Sequence, residues 1–372
     1  GKKIKHDYEN LELNQKVQSV IIDGLDEHPV LSLNENYTAP VKVFYKQTPK
    51  EFALLMAHCQ DPFNQYHAAQ ELIEYEISQI KEMIKAEADP RVSKDFINAY
   101  KALLMNNHID GAFKTFALSI PTTAQLNNKS DKFDFDVLPK AIKFLKVELA
   151  KELYDEFSKT LGDNRIGGEF SVDAKSMGKR ALRNFCLKMM FSHNSPEILD
   201  LVYGQFQNAT NMTDEISALN LLAYSENPYR EKALEKFYAK WKHETLVMQK
   251  WFAAQAMASD TGVEVLKKLE ADDVYDAKVP NILRSVFRTF CRSQDNLFHA
   301  EDGSSYMYIA QKIKEVDSFN PQIAAGLCKT LNFLGKLEGK RKENLKLALK
   351  DILSKENLST DVEEVARKSL EL

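Results

Sequence analysis

Two hydrophobic periods divide the chain. Up to about Tyr45, apolar and β-branched residues come in short runs. Val17, Ser19 and Ile21 alternate with Gln18, Val20 and Ile22, and Pro29 to Leu33 and Val41 to Tyr45 form two more, separated by Asp23-Gly24 and Asn34-Glu35-Asn36. β-prone runs punctuated by turn residues predict strands. A few strands of this kind cannot bury a core alone, so they are expected to belong to a small antiparallel sandwich or to an edge sheet docked on the next domain. Gly1-Lys2-Lys3 has the form of a hairpin exit rather than of a domain start, which predicts further chain upstream.

From Thr48 onward the period becomes helical. Phe52, Leu55, Met56 and Cys59 fall at i, i+3, i+4 and i+7, one face of an amphipathic helix, whereas Leu72, Tyr75, Glu76 and Gln79 fit only at the first two positions and predict a more polar helix. Thr48-Pro49, Asp61-Pro62, Asp89-Pro90, Ser195-Pro196, Asn227-Pro228 and Asn320-Pro321 each set a capping side chain before a proline suited to a first helical turn. These signals predict about sixteen helices, many about 10 to 15 residues long and joined by short links, as in stacked helix pairs. No consensus repeat emerges, so the expected architecture is mainly α, an irregular α-solenoid or superhelical bowl preceded by a few strands. Asn127-Asn128-Lys129-Ser130-Asp131 and Gly162 to Gly168 read as surface loops.

Composition narrows the class. Thirteen glycines and eleven prolines in 372 residues are few for a turn-rich β protein, in line with long helices. A net charge of −4 provides no field for nucleic acid or an anionic membrane, which excludes both as expected partners. Cys59, Cys186, Cys291 and Cys328 lie far apart among apolar helical residues and read as reduced, buried thiols of a cytoplasmic protein. No run of about eighteen apolar residues and no secretory leader stands in the sequence.

Candidate chemistry mostly dissolves on inspection. His299-Ala300-Glu301-Asp302-Gly303-Ser304-Ser305-Tyr306 looks like an acid/base or metal cluster, but His299 has no second ligand at helical spacing, and Asp302-Gly303-Ser304 reads better as a turn and cap opening a helix through Tyr306, Tyr308 and Ile313. His243-Glu244-Thr245-Leu246-Val247 is half of a zinc-protease H-E-x-x-H, with Val247 where the second histidine belongs. Phosphate-binding glycine loops and a G-x-S-x-G elbow are absent. The Trp241 to Phe252 stretch, with Leu246, Val247, Lys250 and Trp251 approximating a helical face, reads as packed core, as do Phe287, Phe290 and Cys291. Arg284, Arg288 and Arg292, spaced four apart, set three guanidinium groups along one side of a helix. Like charges at that spacing repel, so the stripe calls either for carboxylates on neighbouring helices or for an anion to bind, such as a peptide C-terminal carboxylate.

Five separated motifs, in order, carry a resemblance: Thr38-Ala39-Pro40-Val41-Lys42, Lys179-Arg180-Ala181-Leu182-Arg183-Asn184, Asn211-Met212-Thr213-Asp214, Leu246-Val247-Met248 with Lys250-Trp251-Phe252, and His299 to Tyr306. Together they resemble the C-terminal region of the bacterial alanyl-aminopeptidase type of aminopeptidase N, a family of zinc metallopeptidases. The resemblance implies the end of a small β-sandwich at residues 1–45, then a complete helical domain at residues 46–372. The implied parent is a zinc enzyme that removes N-terminal residues from short peptides, with the helical domain covering the active site and enclosing the substrate chamber.

On that reading the chain's partner is the catalytic domain of the same polypeptide, and the chain holds neither catalytic residues nor a metal of its own: the family's G-x-M-E-N and H-E-x-x-H motifs are missing. Arg284, with Arg288 beside it, and Gln322 match chamber-facing positions, while Gly326 stands where the family pattern allows a further arginine. The alternative is an independent α-solenoid that binds a protein partner through its concave face.

Overall fold

The structure, a computed structural model, describes residues 12, 14–21, 25, 28–193, 195–293 and 295–371. Among these the chain is built of α-helices, short 3₁₀ turns and one π-helical turn, without strands. The capping logic holds at four of the six proline signals. Thr48 and Glu51 close a reciprocal capping box on helix Pro49–His58, and Asp61 accepts from the Asn64 amide at 2.8 Å to open helix Pro62–Lys85. Ser195 and Asn320 cap Pro196–Asn208 and Pro321–Cys328.

At the other two signals tertiary hydrogen bonds win. The buried Glu76 carboxylate accepts from the Ser93 amide at 3.1 Å and its hydroxyl at 2.5 Å, holding residues 90–93 extended, so Ser93 rather than Asp89 caps helix Lys94–Met105. The Asn227 amide donates to the Leu222 and Ser225 carbonyls and ties a turn, delaying the next helix to Arg230–Trp241.

The expected strands do not form within the described residues. Pro29 to Leu33 and Val41 to Tyr45 join no strand ladder; the Leu31 and Leu33 carbonyls accept from the Gln47 and Asn64 side chains instead, and Val41, Val43 and Phe44 are exposed, Phe44 at 93%. A strand exists only through a partner's ladder, which these runs lack here. Ile22, Asp23-Gly24 and Gly1-Lys2-Lys3 lie outside the described residues.

Consecutive helices pack on one another to form a solenoid-like bowl with two apolar cores. The first runs from Ala53 to Phe237 and takes in Ala254; the second runs from Met248 to Ala366 and takes in Phe135. Trp241 and Trp251 pack against both, so the aromatic stretch is the seam between them. Within it Met248 and Phe252 are fully buried, but Leu246, expected in the core, is 74% exposed, because the packing face of Thr245–Ala256 runs through Met248 and Phe252 instead.

Asn127 to Asp131 is not a plain surface loop. It ends helix Thr123–Lys129 and leads into a strap that joins the two halves across some two hundred residues of sequence. The Phe133 amide donates to the Lys336 carbonyl at 2.9 Å, and Lys336 Nζ donates back to the Asn128 and Ser130 carbonyls at 2.9 and 3.0 Å. Arg341 holds Asp136 with two hydrogen bonds of 2.9 and 2.8 Å. The Phe135 ring enters the second core and stacks on His299, with centroids 3.8 Å apart. At its base, the Asp134 carboxylate pairs with Lys81 at 2.8 Å.

Candidate functional site

The arginine stripe stands on an irregular rod. Helix Pro280–Leu283 passes into a π-helical turn, Arg284–Arg288, and resumes as Thr289–Ser293. Ser285 Oγ donates to the Ile282 carbonyl at 2.7 Å, and Thr289 Oγ1 reaches the Arg284 carbonyl at 3.4 Å. π-turns are rare and recur at functional sites because the widened turn redirects side chains. Val286, Phe287, Phe290 and Cys291 are buried, as the apolar pattern predicts, and Arg284, Arg288 and Arg292 face solvent. Phe287 leans on Tyr308, whose hydroxyl bonds the Glu270 carboxylate; Lys312 pairs with the same carboxylate at 2.7 Å.

Of the two readings open for the stripe, carboxylate pairing is not realised among the described residues. Arg284 donates to Asn281 Oδ1 at 3.1 Å, and among the described residues none of the three arginines has an ion pair. Helix Pro321–Cys328 packs beside the π-turn and exposes Gln322 and, one turn on, Gly326. An added Cβ at Gly326 would meet nothing within 4 Å. The structure therefore brings Arg284, Arg288 and Gln322 onto adjoining elements, and the two arginines have no carboxylate paired to them among the described residues.

His299 is a packing residue. Its Nδ1 shares a 2.7 Å hydrogen bond with the Tyr306 hydroxyl, and its carbonyl accepts from Arg341 Nε at 2.8 Å. Burial, helped by the nearby Arg341 charge, pushes its pKa down to about 3, so the ring is neutral. Asp302 turns the chain by accepting from the Ser304 amide at 3.0 Å, and Gly303, at φ +71°, precedes helix Ser304–Asp317. A Cβ there would lie 2.6 Å from the Asn344 side chain. No set of three or more His, Cys, Asp or Glu side chains suited to a metal exists among the described residues, so zinc has no fitting ligand set in them.

Residues 49–371 match a family described as a domain of unknown function with ARM repeats, DUF3458_C. The chain belongs to this ARM-repeat family. It is similar to two proteins named aminopeptidase N: that of Escherichia coli K12, 31% identical over 97% of this chain and 41% of the relative, and that of Caulobacter vibrioides, 31% identical over 99% and 42%. A crystal structure of Legionella pneumophila aminopeptidase A in complex with aspartic acid superimposes with a TM-score of 0.80 at 27% identity, covering 91% of this chain and 40% of that one. The chain thus spans about two-fifths of the length of these relatives.

The sequence motifs of this ARM-repeat domain converge in a place that spacing alone did not reveal. Arg183 pairs with Asp214 at 2.6 Å, Asn184 donates to the same carboxylate at 3.0 Å, and Asn211 donates to it at 2.8 Å. Gln205 closes the network by donating to Asn184 Oδ1 at 2.8 Å. Arg183, Gln205, Asn211 and Asp214 line part of a cavity of about 610 Å³. The available sequence signal was Arg180 and Arg183 on an apolar helix with no acid three or four residues away.

Proposed function

We propose that this chain is the noncatalytic helical part of a zinc-dependent aminopeptidase that removes N-terminal residues from short peptides. Residues 46–372 form the helical domain, and residues 1–45 belong to the end of a small β-sandwich. The helical domain covers the active site of a catalytic domain on the same polypeptide and forms the wall of the substrate chamber. The observation that carries this reading is coverage: relatives named aminopeptidase N match 97–99% of this chain but only 41–42% of themselves. Zinc chemistry, polarising the scissile carbonyl and activating water, belongs to the rest of the parent. This chain contributes shape and charge. Arg284, Arg288 and Gln322 are chamber-lining residues, with Arg284 placed to receive the C-terminal carboxylate of a bound peptide.

Four free cysteines, three of them buried, and the lack of any described helix long and apolar enough to cross a membrane support a cytoplasmic setting. The test is direct. The chain alone should carry no stoichiometric zinc and should not hydrolyse an alanyl chromogenic amide; restoring the upstream region should bring both. Turnover by the isolated chain with bound zinc would overturn the proposal. So would a parent protein that binds a partner protein but hydrolyses no aminoacyl substrate, an outcome that favours an interaction scaffold.

A further inference from the structure

Arg180 is a buried charge without a counter-charge. It is 5% exposed, and its guanidinium meets the Ser171 carbonyl at 2.6 Å and the face of Phe170 at 4.6 Å. Among the described residues it has no ion pair. Every other largely buried arginine has one: Arg183 with Asp214 at 2.6 Å, Arg230 with Asp260 at 2.7 Å, Arg341 with Asp136 at 2.8 Å. An isolated buried charge is costly, and arginine cannot escape the cost by losing its proton. Lys114 shows the contrast. Equally buried and also without a carboxylate partner, it sits on the Leu104 carbonyl near a helix C-terminus, and burial lowers its pKa.

Arg180 lines the cavity of about 610 Å³ bounded by helices Ala174–Phe191 and Pro196–Asn208 and by residues 165–170. The carboxylates on this wall are occupied or peripheral. Asp214 is held by Arg183, Asn184 and Asn211, Asp200 accepts from the Tyr229 hydroxyl at 2.5 Å, and Glu169 is exposed. Arg183 Nε adds a buried donor with no partner. The rest of the lining is mixed: Leu161, Ile166, Leu187 and Leu201 form an apolar patch with Phe170 at the rim, 55% exposed, beside the polar side chains of Arg165, Gln205, Asn208, Thr210 and Asn211.

We infer that the cavity beside Arg180 is a binding site for a small carboxylate with an apolar body, the chemistry of an apolar amino acid or of a peptide C-terminus. The carboxylate supplies the counter-charge to Arg180, and the apolar body fills the space against Leu161, Leu187 and Leu201. Volume favours this over a bare oxyanion, since inorganic phosphate would fill only part of about 610 Å³ and leave the patch of Leu161, Ile166, Leu187 and Leu201 uncovered.

Gly204 permits a clean test. It lines the cavity from helix Pro196–Asn208, and an added Cβ meets nothing within 4 Å, so Gly204→Phe can be introduced without a clash at its Cβ and is expected to place a ring in the cavity while leaving the Arg180 side chain in the sequence. The probes are N-acetylleucine, N-acetylleucinamide and inorganic phosphate, titrated by calorimetry into the full chain. The acetylated amines keep the result independent of any peptidase activity. N-acetylleucine should bind, the amide and phosphate should bind at least about tenfold more weakly, and Arg180→Met should weaken N-acetylleucine by about tenfold or more.

Gly204→Phe, with an unchanged circular dichroism spectrum, should also abolish binding, which keeps the test decisive if Arg180→Met does not fold. Equal affinity for acid and amide, tighter binding of phosphate, no binding of N-acetylleucine, or binding that survives Gly204→Phe would each overturn the assignment.

Discussion

His299 couples a charge state to folding through its surroundings. The Phe135 ring lies on one face, the Phe298 and Phe333 rings sit edge-on to it, and Tyr306 holds Nδ1. Its pKa, near 6.5 when unfolded, is pushed down to about 3 by burial and then by Arg341. Between these values the unfolded chain binds the extra proton. The stability contributed by keeping the ring neutral is therefore complete above about pH 6.5 and is lost as pH falls toward 3. His299→Phe strands the Tyr306 hydroxyl and lowers stability at every pH, but it should remove about 2 kcal/mol of the loss seen between pH 7 and pH 4.5 in urea unfolding. A variant that keeps the parent's full slope would show that His299 is not the titrating group. Histidine and its motif were legible in the sequence. The neutrality was not, because it depends on Phe135 and Arg341, each brought in from a distant segment.

At the scale of elements, the strap from Ser130 to Asp136 is the feature that sequence periodicity misreads. Its polar residues look like an ordinary loop, yet Asp134 accepts from the Val137 and Leu138 amides and pairs with Lys81 while Phe133 and Phe135 turn inward. Burial opposes ionisation of Asp134, but these hydrogen bonds outweigh it and hold the carboxyl down at about 2. Two measurements separate the strap's polar and apolar contributions. An Asp136→Ala/Arg341→Ala double-mutant cycle should give a coupling of about 0.5–1 kcal/mol, since Asp136 is 65% exposed and only the arginine is sheltered. Phe135→Ala should cost about 3–5 kcal/mol, because it empties a buried ring site beside His299. Equal losses from the polar and the aromatic changes would refute this division. The helices themselves were readable wherever a proline followed a cap and no tertiary acceptor intervened. Asp89 fails as a start because Glu76 takes the Ser93 amide and hydroxyl, and Asn227 fails because its side-chain amide donates to the Leu222 and Ser225 carbonyls.

Across the whole molecule, two cores joined at Trp241 and Trp251 and strapped from Phe133 to Arg341 make a bowl whose curvature is fixed at both ends of its path. On the proposed function, the exposed arginine turn belongs to this scale, since its proposed task requires a catalytic domain facing the bowl. In the assembled parent, Arg284→Ala should raise KM for a tripeptide several-fold more than for a single-residue amide, because only the tripeptide carries a carboxylate into the chamber. Equal changes for both substrates would return Arg284 to an ordinary surface role; its solvent-facing side chain makes a fold defect an unsuitable explanation.

The sequence by itself determined the helical class, most helix starts and the motifs that resemble aminopeptidase N, since periodicity, capping and motif identity are properties of residues near one another along the chain. The same one-dimensional pattern placed Phe287, Phe290 and Cys291 inside and set the three arginines along one side of the helix. Only the tertiary structure decided that His299 is neutral, that the Asn127 segment is a strap, and that Arg180 has no counter-charge. Each of these depends on which distant groups fill the space around one side chain, and burial and Coulomb forces act through that space rather than along the sequence.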